Sequence, residues 1–264
     1  MRLGLIGDPV EHSLSPAMIQ AALAASGIVG EYNLLPTPAD DLRRRLLEIR
    51  ESYTGVNVTV PHKQAVFALL DGHSRTALEI GAVNTIVNEG GRLIGHNTDS
   101  TGFFWALERS GWLPGEALVL GAGGAARAVV HSLVSRNWLV GVHNRSLERA
   151  QKLVEELGGW LVVPSKLEKA VKKTPLLINA TSVGLNDPEA TPLPKGVLPE
   201  AGMVVDLVYK PLETRLLREA RNAGLRTQDG LVMLLGQGVR AFELWTGRKA
   251  PVEAMERALR ERNP

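Results

Sequence analysis

Leu118-Val119-Leu120-Gly121-Ala122-Gly123-Gly124-Ala125-Ala126 decides the fold. A short apolar strand runs into a glycine turn, and a helical pattern follows as far as about Arg136. That order brings bare backbone N–H groups and a helix N-terminus against a pyrophosphate. Gly121 allows the tight turn, Gly123 allows close approach of a phosphate, and Ala126 stands where the third glycine of G-x-G-x-x-G usually sits. A glycine turn alone says little. With the strand before it and the helix after it, it reads as a dinucleotide site.

The next strand tells which dinucleotide. A site for NAD usually carries Asp or Glu about 20 residues on, where it grips the ribose 2′-hydroxyl. Here Trp138-Leu139-Val140-Gly141-Val142-His143 runs into Asn144-Arg145-Ser146, with no acid at the strand end. Arg145 stands there instead, and Arg149 follows one helical turn on, with Ser146 as the expected cap of a helix over Leu147 to Leu157. Positive charge at a helix N-terminus opposes the macrodipole, so a bound anion accounts for it better than a bare surface does. Forked, permanently charged donors suit a 2′-phosphate. The cofactor expected is NADP.

Composition narrows the class. A chain of 264 residues with 44% hydrophobic residues is long enough to bury a sizeable core in two domains. The net charge of +2 is nearly balanced, and the run Arg43-Arg44-Arg45 follows Asp40-Asp41, as in a solvated helix face. Nucleic acid is therefore not an expected partner. No apolar run approaches the roughly 20 residues that cross a bilayer, and the N-terminus lacks a signal pattern. Zero cysteines remove disulfides, thiolate metal sites and thiol nucleophiles. Few histidines occur and none is spaced with acids as a metal ligand. A cytoplasmic protein without a membrane partner or a metal is expected.

Along the chain, apolar stretches alternate with helical patterns in two α/β halves, so the fold class is α/β with mostly parallel sheets. The first half reads as strand Leu3 to Gly7, helix Pro16 to Ser26, strand Glu31 to Leu35, helix Ala39 to Glu51 and strand Gly55 to Val60. A helical piece from Gln64 to Leu70 precedes a hairpin of Ala82 to Val87 and Leu93 to His96, turning at Glu89-Gly90-Gly91. A helix from Thr98 to Ser110 leads into the second half. That half has strands at Leu118, Leu139, Leu176 to Asn179 and Val204 to Leu207, and a loop from Asp187 to Pro199. The helical tail, Leu231 to Trp245 and Pro251 to Arg262, is expected to return to the first half.

Polar residues crowd the strand ends of the first half. His12-Ser13-Leu14-Ser15-Pro16, Asn57-Val58-Thr59-Val60-Pro61-His62-Lys63, Gly81-Ala82-Val83-Asn84-Thr85 and Gly95-His96-Asn97-Thr98-Asp99 each end or follow a strand. Carboxyl ends of strands face the ligand crevice in open α/β sheets. Each segment also has an ordinary reading. Ser15 before Pro16 suits a helix cap, Asn57 and Thr59 alternate with valines as in a half-exposed strand, and Asp99 suits a helix start. Four such segments together point to a small hydroxylated or carboxylated ligand.

In this order the segments resemble the motif set of the shikimate dehydrogenase family. The resemblance continues through Gly121-Ala122-Gly123-Gly124-Ala125, Asn144-Arg145-Ser146, Asn179-Ala180-Thr181-Ser182-Val183-Gly184, Asp206-Leu207-Val208-Tyr209 and Gly236-Gln237-Gly238, and spans nearly the whole chain. It implies NADP-linked interconversion of 3-dehydroshikimate and shikimate. It implies a substrate-binding and catalytic domain over 1–101 with 237–264, and a Rossmann domain for NADP over 102–236. By position, Lys63 and Asp99 correspond to the catalytic pair, both also touching substrate. Ser13 and Ser15 correspond to the pair that holds a carboxylate, and Thr59, Asn84, Tyr209 and Gln237 to further substrate contacts. On the cofactor side the match gives Gly121, Ala122, Gly123, Gly124, Ala125, Asn144, Arg145, Ser146, Arg149, Leu207 and Gly230, with Met233 as a looser match. The partner implied is a small molecule, and the chain is expected as a monomer or homodimer.

The chemistry suits these residue types. Hydride arriving at a ketone carbon leaves charge on oxygen, which a fixed ammonium stabilises and protonates. Three rivals stand beside this reading. One is a quinate/shikimate dehydrogenase, relaxed in its cofactor use or preferring quinate and NAD; the NAD-preferring form would be expected to carry an acid near Arg145 or Ser146, which this chain lacks. A folate-linked methylene dehydrogenase would lack the serine pair and Gly-Gln-Gly. A catalytically silent NADP-binding regulator would have no reason to keep Lys63 and Asp99.

Overall fold

The computed structural model describes residues 1–262, which fall into two compact units. One comprises Met1–Gly102 and the described residues from Leu234 on, and the other is Phe103–Met233. In chain order the first runs β1 (Arg2–Gly7), α1 (Ser15–Ala25), β2 (Glu31–Pro36), α2 (Leu42–Ser52), β3 (Gly55–Val58), α3 (His62–Ala65), β4 (Gly72–His73), α4 (Arg75–Ile80), β5 (Thr85–Glu89), β6 (Arg92–His96) and the start of α5 (Asp99–Ser110). The second continues with β7 (Glu116–Leu120), α6 (Gly124–Val134), β8 (Leu139–His143), α7 (Leu147–Leu157), β9 (Trp160–Leu161), α8 (Pro164–Lys173), β10 (Leu176–Asn179), β11 (Met203–Asp206), α9 (Arg215–Asn222) and β12 (Arg226–Gln228). The chain then passes through α10 (Leu231–Thr246) to α11 (Val252–Glu261).

The sheet of the first unit has the order β2-β1-β3-β5-β6-β4. Its pairs are parallel except those that β5 makes with β3 and β6. The hairpin is fixed by its turn. Glu89 pairs with Arg92, so Gly90 and Gly91 form a two-residue loop, with φ of 63° and 92°. Two left-handed residues define the type I′ turn, whose twist matches the strands it joins. In the second unit the order is β12-β11-β10-β7-β8-β9, and every pair is parallel. Strand order reverses between β7 and β10, which is where a doubly wound sheet binds its ligand.

Each unit has its own core. In the first, Ile6, Val56, Val58 and Ile86 of the sheet pack with Leu42, Leu46 and Ile49 of α2. Val119, Val140, Val142, Ile178 and Val205 of the second sheet pack with Val129, Val130 and Leu133 of α6. The C-terminal tail packs on the first unit through glycines. A Cβ at Gly238 would lie 2.1 Å from Met18 Cε, and one at Gly102 would lie 2.4 Å from Gln237 N. At Gly102 the neighbour is backbone, so only glycine fits, whereas at Gly238 it is the mobile end of a methionine that a larger residue would displace. Trp245 completes the contact: its indole donates to Ile86 O at 2.9 Å, and its ring tilts against Tyr32.

Several expectations are corrected. The helix over Gln64 to Leu70 is instead the four-residue α3 followed by a 3-10 turn at Phe67–Leu69, because Phe67 O is held by His73 Nε2 and the two rings stack. The strand expected from Ala82 starts only at Thr85, and the one expected to reach Val60 ends at Val58. Ser15 is not the cap of α1. It lies within the first turn, and Ser13 Oγ accepts from Ser15 N at 3.2 Å. Asn57 does not face solvent; β3 is a central strand buried on both faces. Helix α4 is an addition to the expected elements, although Ser74 caps its start and Gly81, left-handed at φ 68°, its end.

One buried carboxyl anchors the second sheet. Asp206 at the end of β11 accepts from Asn179, Val208 N and Thr214, all neutral donors. Burial pushes it from the ordinary 3.8 up to about 6, against those hydrogen bonds, which favour the charge. The folded state thus holds this proton more tightly than the unfolded chain. The stability it contributes is complete below pH 4 and lost as the pH rises through 6, a span of about 3 kcal/mol.

Two expectations follow for denaturant melts. Gly55→Ala places a methyl 2.3 Å from Trp245 Nε1 and 2.5 Å from Ile86 O, and stability should fall by about 1–3 kcal/mol; an unchanged midpoint would mean that Trp245 seats loosely. Asp206→Asn does not titrate, so its stability relative to wild type should improve by up to about 3 kcal/mol between pH 4 and 7. Parallel curves for the two proteins would contradict the burial argument.

Candidate active site

The centre of the first unit is an ammonium–carboxylate pair. Lys63 Nζ lies 2.5 Å from Asp99 Oδ2, with the carboxylate almost wholly buried. The other oxygen is also taken: Asn84 Nδ2 donates to Asp99 Oδ1 at 2.9 Å. Asp99 is therefore fixed from both sides. Breaking a buried pair by removing one partner costs about 3–5 kcal/mol, so the geometry is strongly held.

Each member is placed by backbone geometry. Lys63 sits on α3, which is too short to hold itself. Val83 N donates to Lys63 O at 2.7 Å, and His62 Nε2 bonds Thr37 O at 2.6 Å, so the start of the turn is tied to two neighbouring segments. A carbonyl only accepts, so His62 carries its hydrogen on Nε2. Asp99 begins α5, whose first turn is capped by Asn97 Oδ1 accepting from Ser100 N. Asn84 lies just before β5 and is oriented by its own carbonyl, which accepts from Thr98 N at 2.6 Å. Its amide nitrogen reaches Thr98 Oγ1 at 2.9 Å and, more weakly, Gln237 Oε1 at 3.4 Å.

A further layer lies beneath. Asn57 Nδ2 donates to Asn84 O and Thr85 Oγ1, and Asn57 Oδ1 accepts from the Tyr32 hydroxyl at 2.8 Å. Hydrogen bonds therefore run from Tyr32 through Asn57 and Asn84 to Asp99 and Lys63. Asn57, His62, Thr85 and Thr98 had no role assigned from sequence; all are buried polar residues. The signal was present for Asn57 and Thr85, which interrupt apolar strand residues, whereas His62 and Thr98 lie outside the strands.

Of the expected substrate residues, Lys63, Asp99, Asn84 and Gln237 come together. Ser13 and Ser15 bond to one another at the start of α1, and Thr59 flanks Gly7 at the end of β1, 2.3 Å from where a Cβ there would be. Tyr209 belongs to the second unit, after β11. Gln237 also anchors to α10, donating to Leu234 O. His96, at the end of β6, is pushed below its usual range by burial.

In the second unit the glycine turn has the backbone geometry that a phosphate cradle requires. Gly121 has φ 120°, outside the reach of most L side chains, and its N–H donates to His143 O, which ties the turn to the end of β8. Nothing lies within 4 Å of where a Cβ on Gly123 would be. Gly123 precedes α6, and no side chain caps that helix, so its first N–H groups remain available to an anion. Ala122, Gly124 and Ala125 complete the turn. At the end of β8, Asn144 donates to Ser146 O, and Ser146 Oγ caps α7 by accepting from Arg149 N. Arg145 and Arg149 are both exposed, and neither has an acidic partner among the described residues. At the other end, a Cβ on Gly230 would lie 2.2 Å from Leu207 O. Donor chemistry and open space both fit a dinucleotide carrying a 2′-phosphate.

Among the described residues no cluster of three or more His, Asp or Glu side chains is arranged to hold a metal, and no helix is long and apolar enough to cross a membrane.

Known proteins match along the length of the chain. The profile described as shikimate dehydrogenase substrate binding domain matches residues 5–86, that of shikimate / quinate 5-dehydrogenase residues 110–187, and that of shikimate 5'-dehydrogenase C-terminal domain residues 230–260. Shikimate dehydrogenase (NADP(+)) of Thermus thermophilus is 52% identical over 261 residues, covering 98% of each chain. The crystal structure of shikimate 5-dehydrogenase from a second strain of Thermus thermophilus, with NADP(H) and shikimate, superposes with a TM-score of 0.93 at 49% identity, covering 99% of each chain. More distantly, quinate dehydrogenase from Corynebacterium glutamicum with NAD gives a TM-score of 0.91 at 33% identity, over 99% of each chain. By descent and by architecture, the chain belongs to the shikimate dehydrogenase family.

Proposed function

We infer that this protein is an NADP-dependent shikimate dehydrogenase, an oxidoreductase that interconverts 3-dehydroshikimate and shikimate. The observation that carries the reading is the buried Lys63–Asp99 pair, with Asn84 and Gln237 beside it in the unit that also bears Ser13, Ser15 and Thr59. NADPH supplies the hydride when bound. Lys63 offers its ammonium to the carbonyl oxygen, neutralises the charge that develops there and delivers the proton. Asp99 keeps that ammonium in one position, so little reorganisation is needed as charge forms. Asn84 orients Asp99 and, with Gln237 and Tyr209, offers hydrogen bonds to substrate hydroxyls. Ser13 and Ser15 are the donors for its carboxylate. The first unit serves as substrate domain and the second as NADP domain.

Cofactor choice rests on Arg145 and Arg149, with Ser146 and Asn144 shaping the turn between them. Leu207, Gly230 and Met233 border the nicotinamide. No acid occupies the end of β8 at Asn144, Arg145 or Ser146, which counts against an NAD-preferring quinate enzyme, and the intact pair counts against a silent regulator. Oligomeric state (monomer or homodimer) and a cytoplasmic location belong to this proposal as well. Absorbance at 340 nm, the NADPH band, tests the whole reading directly: oxidation with 3-dehydroshikimate supports it, and turnover only with quinate and NAD rejects it.

Replacing Lys63 by Ala should lower kcat by roughly 10²–10⁴-fold, the usual worth of a positioned acid–base group. Unaltered steady-state turnover would remove the lysine from the chemistry. Arg145→Ala with Arg149→Ala should weaken NADP far more than NAD, by about 1.5–3 kcal/mol per lost charged hydrogen bond. Fluorescence titrations that give equal losses for both cofactors would reject the 2′-phosphate assignment.

A further inference from the structure

Two loops leave the second sheet beside the glycine turn, and a single carboxylate ties them together. Asp206 is fully buried. Its Oδ1 accepts from Asn179 Nδ2 at 2.9 Å and from Val208 N at 3.0 Å, and its Oδ2 accepts from Thr214 Oγ1 at 2.7 Å. Asn179 extends the link into the loop after β10: its Oδ1 accepts from Thr181 N at 3.1 Å and Thr181 Oγ1 at 2.6 Å. Thr181 Oγ1 in turn accepts from Val183 N at 3.1 Å. No cation pairs with Asp206 among the described residues, so no salt bridge accounts for burying a carboxyl here.

What the network holds in place is informative. Ala180 O lies 2.9 Å from where a Cβ of Gly121 would be, so the loop after β10 rests on the phosphate turn. Leu207 O lies 2.2 Å from where a Cβ of Gly230 would be, and Gly230 N donates to Val208 O, so the loop after β11 rests on the start of α10. Both loops are thus positioned against glycines that the cofactor reading uses, with Asp206 as their common anchor.

We propose that Asp206 is a positioning residue for hydride transfer: by joining Asn179, Val208 and Thr214 it sets the two loops that border the nicotinamide. The proposal rests on the cofactor reading above. Affinity for NADPH lies mainly at the phosphates, on the turn between β7 and α6 and on Arg145 and Arg149. Asp206 governs the other end, where small displacement costs rate more than binding.

The test is Asp206→Asn in the full-length protein. The amide sets an N–H group against donors that now find an acceptor. With saturating NADPH and 3-dehydroshikimate, kcat should fall by about tenfold or more, a displacement below about 1 Å. The Kd for NADPH should stay within about threefold, because the phosphate contacts are untouched. Shikimate affinity, carried by the first unit, should not move. Thr214→Val removes one donor without touching the carboxyl and should give the same split, which carries the test if the Asn protein melts below the assay temperature. Unchanged kcat in a folded variant overturns the proposal, as does a parallel loss of NADPH affinity, since either removes the distinction between holding and positioning. Wild-type protein that fails to bind NADPH would instead defeat the cofactor reading itself.

Discussion

The pairing of Lys63 with Asp99 is the constraint around which the first unit is arranged. An ammonium and a carboxylate taken out of water are costly unless every remaining lone pair and proton is used. Here they are used. Asp99 gives one oxygen to Lys63 and the other to Asn84, and Asn84 is oriented by Thr98 and supported by Asn57, Thr85 and Tyr32. The polar residues that crowd these strand ends are thus not independent contacts with a ligand. Most of them build a rigid support for two charged groups.

On the proposed cofactor reading, the second unit meets a different need, that of receiving a charged ligand without committing side chains to it in advance. Its glycine turn leaves N–H groups and space, and its two arginines at the start of α7 have no acidic partner among the described residues. A bound anion would offset the helix field that these arginines oppose. Asp206 follows the opposite logic. Burial raises its pKa to about 6, and neutral donors hold both of its oxygens, so it acts as a fastener between loops.

Much of this was legible in the sequence, for reasons that differ by residue. The strand–glycine–helix order at Leu118 to Val134 and the arginine at position 145 announce themselves locally, since turn geometry and helix-end charge are short-range properties. The strand ends bearing Lys63, Asn84 and Asp99 pointed to a ligand, but the pairing of Lys63 with Asp99 and the role of Gln237 came only through the resemblance, because residues 36 and 153 positions apart meet through sheet order, which no local pattern encodes. The departures share one cause. The ordinary readings of Ser15 as a cap and of Asn57 as a half-exposed strand residue, and the single helix expected over Gln64 to Leu70, all follow from neighbours along the chain. Contacts from Ser13, Tyr32 and His73 decide otherwise. Strands as short as β4, β9 and β12 carry too few residues for any periodicity to register.

On the proposed mechanism Lys63 and Asp99 work as one unit. A double-mutant cycle on kcat, comparing Lys63→Ala, Asp99→Asn and the combined variant, measures that coupling. Groups that act together show strongly non-additive losses. The combined protein should then be scarcely slower than Lys63→Ala alone. Losses that multiply, with each substitution exerting its full effect in the presence of the other, would contradict it.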